Sequence, residues 1–221
     1  MTSQLNIDFL PGQTLKVFEE LAERQFINKY TLIGGTALSL HLKHRLSEDL
    51  DFVYDEEKLT LNEIKRYIAK IFPEHRIIRQ DDPWQIDFII NEVKVTFFSR
   101  GSVAIPFNVG DYTIPYKNIN ICEVDVIATL KMASIAQRNT IRDYYDLYYL
   151  AKYHLSLLEI IKKTKTLMPN LSPITYTETL VYTEDIDESG IAEHLQPAEI
   201  VTKDQISDFF TSELIKIKGK I

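Results

Sequence analysis

Apolar residues recur at helical spacing at Leu15, Phe18, Leu21, Ala22 and Ile27, which predicts an opening amphipathic helix over residues 13–30. Residues 31–33 then read as a short strand running into Gly34 and Gly35. A second short helix is predicted over 36–44 and a strand over 50–54. Thr60 followed by Glu63 has the spacing of a capping box. It opens a third helix on Leu61, Ile64, Ile68 and Ile71, which Pro73 stops. The apolar runs 85–90 and 93–98 on either side of Asn91 and Glu92 predict a hairpin in the same sheet. From Glu123 onward the period is helical, with helices expected over 123–138, 140–154, 156–166 and 205–217. Pro169, Pro173 and the acidic stretch 184–188 punctuate this half. Residues 174–183 carry β-branched side chains that favour strand, yet read on balance as helix. The pattern therefore predicts an α+β chain: a mixed β-sheet with flanking helices over residues 1–122, and a C-terminal helical appendage over 123–221.

Two short segments carry chemistry. In Asp49-Leu50-Asp51-Phe52-Val53-Tyr54 the strand period of two sends Leu50, Phe52 and Tyr54 to one face and both carboxylates to the other. Two acids on one strand face repel unless a cation lies between them, and a divalent metal takes hard oxygen ligands of this kind. The plain alternative is a pair of solvated acids at a strand end. Just upstream a strand ends in Gly34, Gly35 and Thr36 at the start of a helix. Glycines let backbone approach a phosphate closely, and a helix N-terminus offers unpaired N–H groups. By itself that is a tight turn. Together, a phosphate cradle and a metal-holding carboxylate pair are what phosphoryl or nucleotidyl transfer requires.

Composition narrows the setting. Among 221 residues no apolar run approaches the roughly 20 needed to span a bilayer, and the polar start lacks the basic residues of a signal peptide. The expectation is a cytoplasmic protein with no membrane association. A net charge of -7 argues against a broad electrostatic grip on nucleic acid. The single cysteine, Cys122, excludes an internal disulfide and reads as apolar filling. His41, His44, His75, His154 and His194 show no metal-ligand spacing, so zinc is not expected, and only His44 lies beside the glycine turn. Tyr144, Tyr145, Tyr148 and Tyr149 read as packing within a helical core rather than as a base-stacking platform.

The segments Gly34-Gly35-Thr36-Ala37-Leu38-Ser39-Leu40 and Arg45-Leu46-Ser47-Glu48-Asp49-Leu50-Asp51-Phe52 resemble the AbiEii/AbiGii toxin-like nucleotidyltransferases, a branch of the DNA polymerase beta superfamily. The resemblance continues through Val93-Lys94-Val95-Thr96-Phe97-Phe98 and the stretch 131–150, with Arg142-Asp143-Tyr144-Tyr145-Asp146-Leu147 its clearest late element. It implies a nucleotidyltransferase-like fold and Mg²⁺-dependent transfer of a nucleotide from a nucleoside triphosphate to an acceptor, in a toxin paired with an antitoxin. The acceptor, whether RNA, protein or small molecule, stays open. Carried over residue by residue, the resemblance assigns Gly34, Gly35 and Thr36 to the triphosphate, Asp49 and Asp51 to the metal, and Lys131 and Asp146 to the family's later polar pair, as catalytic candidates; Arg45 and Ser47 are candidate phosphate contacts beside them.

Helical spacing bears on that pair independently. Lys131 shares a face with Val124, Ile127, Ala128 and Ile135, while Asp143 and Asp146 share one with Leu147 and Leu150. Charges on apolar faces must pair or serve a site, since an unpaired buried charge costs several kcal/mol. A structural ion pair from Lys131 to Asp146 or Asp143 is the competing reading. Arg45 and Arg142 could meet phosphates or neutralise nearby acids. The sequence also departs from the superfamily pattern: Thr96 stands where many members carry a third carboxylate, and a hydroxyl is a poor base at neutral pH. Asp87 on the preceding strand could supply the charge, with a solvated strand acid as its default. Two alternatives to an enzyme follow, a catalytically weak nucleotide-binding protein and a partner-binding module on the same fold.

Overall fold

The computed structural model describes residues 5–186 and 195–220; His194 and the last two residues of the acidic stretch lie outside them. The chain divides into two compact units, Met1–Glu123 and Val124–Ile221.

The first unit contains α1 (Gly12–Ala22), β1 (Tyr30–Ile33), α2 (Gly34–Leu42), β2 (Leu50–Tyr54) and α3 (Leu61–Ile71). These are followed by β3 (Arg76–Asp81), β4 (Gln85–Ile90), β5 (Val93–Ser99), β6 (Thr113–Tyr116) and β7 (Ile119–Cys122). Among the described residues seven strands form one sheet in the order β3-β4-β5-β2-β1-β7-β6. It is mixed: β1 runs antiparallel to β2, whereas β2 with β5 and β1 with β7 are parallel. One face is an aromatic core, in which Phe52 stacks on Phe97 at 5.3 Å and Phe97 meets Phe88 and Tyr30 edge-on. The opposite face carries Asp51, Thr96 and Asp87, because alternate residues of a strand point to opposite sides.

Three local expectations are corrected. The opening helix stops at Ala22, a short 3₁₀ turn over Gln25–Lys29 follows, and Tyr30 starts a strand. The side chain of Tyr30 is needed in the sheet core, which a continuous helix would deny it. Thr60 does precede α3, but its side chain caps nothing, and Glu63 reaches Lys29 at 2.8 Å instead. The strands β3, β6 and β7 add to the four expected. β3 is exposed along its whole length, so it lacks the alternation that marks a half-buried strand.

The second unit is helical: α4 (Val124–Ile135), α5 (Ile141–Tyr153), α6 (Leu157–Leu167), α7 (Pro173–Val181) and α8 (Lys203–Lys216). α4 packs against α5, α6 and α7, and α8 against α5 and α7. α4 is accordingly buried almost all round, Lys131 included. The capping boxes of this unit are Ser156 with Glu159 and Thr202 with Gln205. Pro173 at the first turn starts α7, so the ambiguous stretch is helix as far as Val181. Tyr144, Tyr145 and Tyr148 are buried, and Tyr148 meets Phe209 edge-on at 5.0 Å, which makes the tyrosines part of the core. Among the described residues no helix is long and apolar enough to cross a membrane.

Candidate active site

β1 delivers the chain to Gly34, whose φ of +76° lies in the left-handed region that glycine adopts without steric cost. α2 starts there, so the turn and the helix N-terminus coincide as the sequence suggests. Asp51 of β2 lies beside this turn: β1 and β2 pair Ile33 with Asp51, and Asp51 Oδ2 lies 3.2 Å from where a Cβ on Gly34 would sit. A side chain at residue 34 would therefore press on the carboxylate.

The connection from α2 to β2 folds back over the same turn. The Thr36 hydroxyl donates to the Asp49 carbonyl and lies 2.9 Å from Ser47 Oγ. Ser39 Oγ donates to the Arg45 carbonyl at 2.6 Å, and Thr14 of α1 donates to the Glu48 carbonyl at 3.0 Å. These bonds fix the backbone on both sides of Asp49. Arg45 is buried, and its Nη2 lies 2.6 Å from the position of a Cβ on Gly35, with Ser47 Oγ 3.0 Å from it. Arg45 Nη1 donates to the Leu46 carbonyl at 3.0 Å. Gly34, Gly35, Thr36, Arg45, Ser47, Asp49 and Asp51 are thus brought to one corner of the sheet. Within it the Thr36 side chain is turned to Ser47 and Asp49, so what Thr36 offers a phosphate is its backbone N–H.

Across the sheet a polar row crosses several strands in register. Asp51 pairs with Thr96 of β5, Thr96 with Asp87 of β4, and Asp87 with Arg79 of β3. Thr96 is buried, and among the described residues its hydroxyl has no hydrogen-bond partner. Asp87 is buried rather than solvated, correcting its default reading: Gln85 Nε2 donates to its Oδ1 at 2.8 Å, and Lys94 Nζ lies 3.5 Å from its Oδ2. Sequence alone does not single out Lys94 and Gln85. The hairpin period places both on the Asp87 face and is the signal that could have found them.

The carboxylates Asp49 and Asp51 are half-buried. A small divalent cation such as Mg²⁺ is held through one or two carboxylates and completed by waters and substrate phosphates, and this pair beside a helix N-terminus fits that pattern. Among the described residues no three His, Cys, Asp or Glu side chains converge as a ready-made cage. His41 Nε2 lies 2.9 Å from the Cys122 carbonyl, and burial lowers its pKa, so this histidine is a neutral packing group.

In the second unit Lys131 Nζ lies 2.5 Å from Asp143 Oδ1 and 2.7 Å from Asp146 Oδ2, with all three side chains buried. Arg138 Nε adds a contact to Asp143 Oδ2 at 2.9 Å. Burial raises the Asp143 pKa, but the charges of Lys131 and then Arg138 outweigh it and leave the carboxyl below its usual range. Lys131 and Asp146 therefore meet as the helical spacing suggests, inside a network that also holds α4 and α5 together.

Comparison with known proteins bears on the fold and on the family. The chain is 29% identical over 194 residues to an uncharacterized protein of Aquifex aeolicus, an alignment covering 85% of this chain and 89% of the relative. Among solved structures it resembles JHP933 from Helicobacter pylori (TM-score 0.55, 18% identity, 96% of this chain and 94% of that one). It also resembles MenT4, a nucleotidyltransferase toxin of Mycobacterium tuberculosis (TM-score 0.56, 11% identity, 95% of this chain and 87% of that one). At these identities the likeness concerns the fold, a mixed sheet with flanking helices of the nucleotidyltransferase kind. The family model described as "Nucleotidyl transferase AbiEii toxin, Type IV TA system" matches residues 16–168, which carry the glycine turn, both carboxylates and the Lys131 network, and the chain belongs to that family.

Proposed function

We propose that this chain is a Mg²⁺-dependent nucleotidyltransferase that moves a nucleotide from a nucleoside triphosphate to an acceptor. The observation that carries this reading is the closeness of Asp51 Oδ2 to Gly34 at the start of α2, which supports an acid holding a cation next to phosphate on the helix N-terminus. Gly34, Gly35 and Thr36 hold the triphosphate through backbone, Arg45 and Ser47 line the same turn, and Asp49 and Asp51 hold the cation. A bound Mg²⁺ supplies charge neutralisation at the phosphate oxygens. The acceptor hydroxyl forms a bond to the α-phosphorus, the bridge to the β-phosphate breaks, and pyrophosphate leaves while the hydroxyl proton passes to base or solvent. Lys131 and Asp146 are the further catalytic pair of this proposal. Its place of action is the cytoplasm, where nucleoside triphosphates are supplied, and membership in a toxin family of a type IV toxin–antitoxin system supports a cognate antitoxin as partner.

The test is incubation with each labelled nucleoside triphosphate, Mg²⁺ and total cell extract, followed by separation of RNA, protein and small molecules. Label entering one acceptor class, abolished by chelation and by Asp49→Asn, is the expected result. Binding without transfer in every arm would favour a second reading, a nucleotide-binding protein of low catalytic power. The uncharged Thr96 hydroxyl between Asp51 and Asp87 is the observation on that side.

A further inference from the structure

The hydroxyl of Thr96 is a buried polar atom without a partner, set in the sheet between two carboxylates. A buried donor left unmade costs about 1–3 kcal/mol, so such a group is retained where something else satisfies it. Its two neighbours in register differ. Asp87 has both oxygens engaged, with Gln85 on one and Lys94 near the other. Asp51 faces Gly34 with its Oδ2 on the side of the sheet occupied by β1, so Thr96 of β5 flanks it from the opposite side. A carboxylate can accept on the order of four hydrogen bonds, so a further donor fits beside the partner that Asp51 already has. Neighbouring strands lie about 4.7–4.9 Å apart, so a threonine hydroxyl can reach the carboxylate paired with it on the same sheet face by rotating about χ1.

We infer that Thr96 is a positioning residue for the cation site: its hydroxyl donates to the Asp51 carboxylate when a divalent cation is bound and fixes the orientation in which Asp51 meets that cation. The inference rests on the reading of Asp49 and Asp51 as cation ligands. A donor behind a ligating carboxylate restricts its rotation, and loss of such a partner typically lowers metal affinity roughly 10–100-fold. The partnerless hydroxyl is then a cost of the cation-free chain, offset on binding.

The experiment is calorimetric titration of the full chain with Mn²⁺ alone, together with thermal unfolding in chelator. Thr96→Val removes the hydroxyl and keeps the shape. It is expected to bind Mn²⁺ about 10–100-fold more weakly while its cation-free melting temperature holds or rises, because an unsatisfied buried group has gone. Thr96→Ser restores the donor and is expected to recover most of the affinity. Wild-type affinity in Thr96→Val, or an equal loss in both variants, would overturn the inference and leave a packing role. Asp49→Asn and Asp51→Asn separate the two levels. If they abolish Mn²⁺ binding and Thr96→Val does not change it, only the role of Thr96 falls. If they leave Mn²⁺ binding intact, the cation site itself is misassigned.

Discussion

Lys131 Nζ and Asp146 Oδ2 lie 2.7 Å apart with both side chains buried, and the same ammonium lies 2.5 Å from Asp143. One ammonium thus bridges two acids inside the second unit. Lys131→Met leaves those carboxylates uncompensated by it, and breaking a buried pair by removing one partner costs about 3–5 kcal/mol. A fall of that size in unfolding free energy is expected by chemical denaturation. An unchanged midpoint would mean that the three charges are not buried together in solution.

Lys131→Arg separates stability from catalysis. The charge is kept, so the denaturation midpoint should move little, but the guanidinium is planar and never loses its proton. If Lys131 acts in transfer as proposed, Mg²⁺-dependent labelling of the acceptor should fall on the order of 10²-fold, as for loss of one positioned donor. Wild-type transfer in this variant would confine Lys131 to the ion network.

The network also predicts the response to acid. Burial raises the pKa of Asp143, but Lys131 and Arg138 outweigh it and hold the carboxyl below its usual range. A carboxyl depressed on folding contributes stability that is fully present above its unfolded pKa and is lost as pH falls through the folded one. Melting temperatures from pH 7 down to pH 2 should therefore drop for the wild type below the ordinary aspartate range. Asp143→Asn should start lower at pH 7 and fall less, and parallel curves would contradict the depressed pKa.

The two glycines of the turn should respond differently. At Gly34 the backbone is left-handed and an added Cβ would meet Asp51 Oδ2, so Gly34→Ala should cost about 1–2 kcal/mol of stability and weaken Mg²⁺-dependent triphosphate binding. Gly35 lies outside that backbone region, and its added Cβ would meet Arg45 Nη2 and Ser47 Oγ. Gly35→Val should displace Arg45 and weaken triphosphate binding, and calorimetry with a non-hydrolysable triphosphate would show it. Intact binding with only a lower melting temperature would make the turn purely structural.

Much of this corner is legible in the sequence because its elements are strongly patterned. The alternation through Leu50, Asp51 and Phe52 gives the strand and the two faces at once, and Gly34-Gly35-Thr36 marks the turn without any tertiary information. Sequence does not show that Thr36 spends its hydroxyl on the Asp49 carbonyl, a contact made by the path of the intervening chain. Strands β6 and β7 escape notice because each has four residues and Pro115 breaks the first, a residue that argues against a strand except at an edge, where β6 lies. Asp87 looks like a solvated acid because nothing in the strand period shows that Gln85 and Lys94 close around it. The three-way contact of Lys131 follows from helix faces, whereas the share taken by Arg138 depends on the turn between α4 and α5.

The position of β1 between β2 and β7 has a consequence for biosynthesis. As the chain leaves the ribosome β1 can pair with β2 early, but its other flank stays bare until Leu32 meets Ile121. Until then the strand that ends at Ile33 is a raw edge, open to pairing with any other extended chain. Nascent or truncated products ending before β7 are therefore expected to associate with one another rather than form a smaller working core. β7, the last strand of the first unit to be synthesised, is what covers that edge.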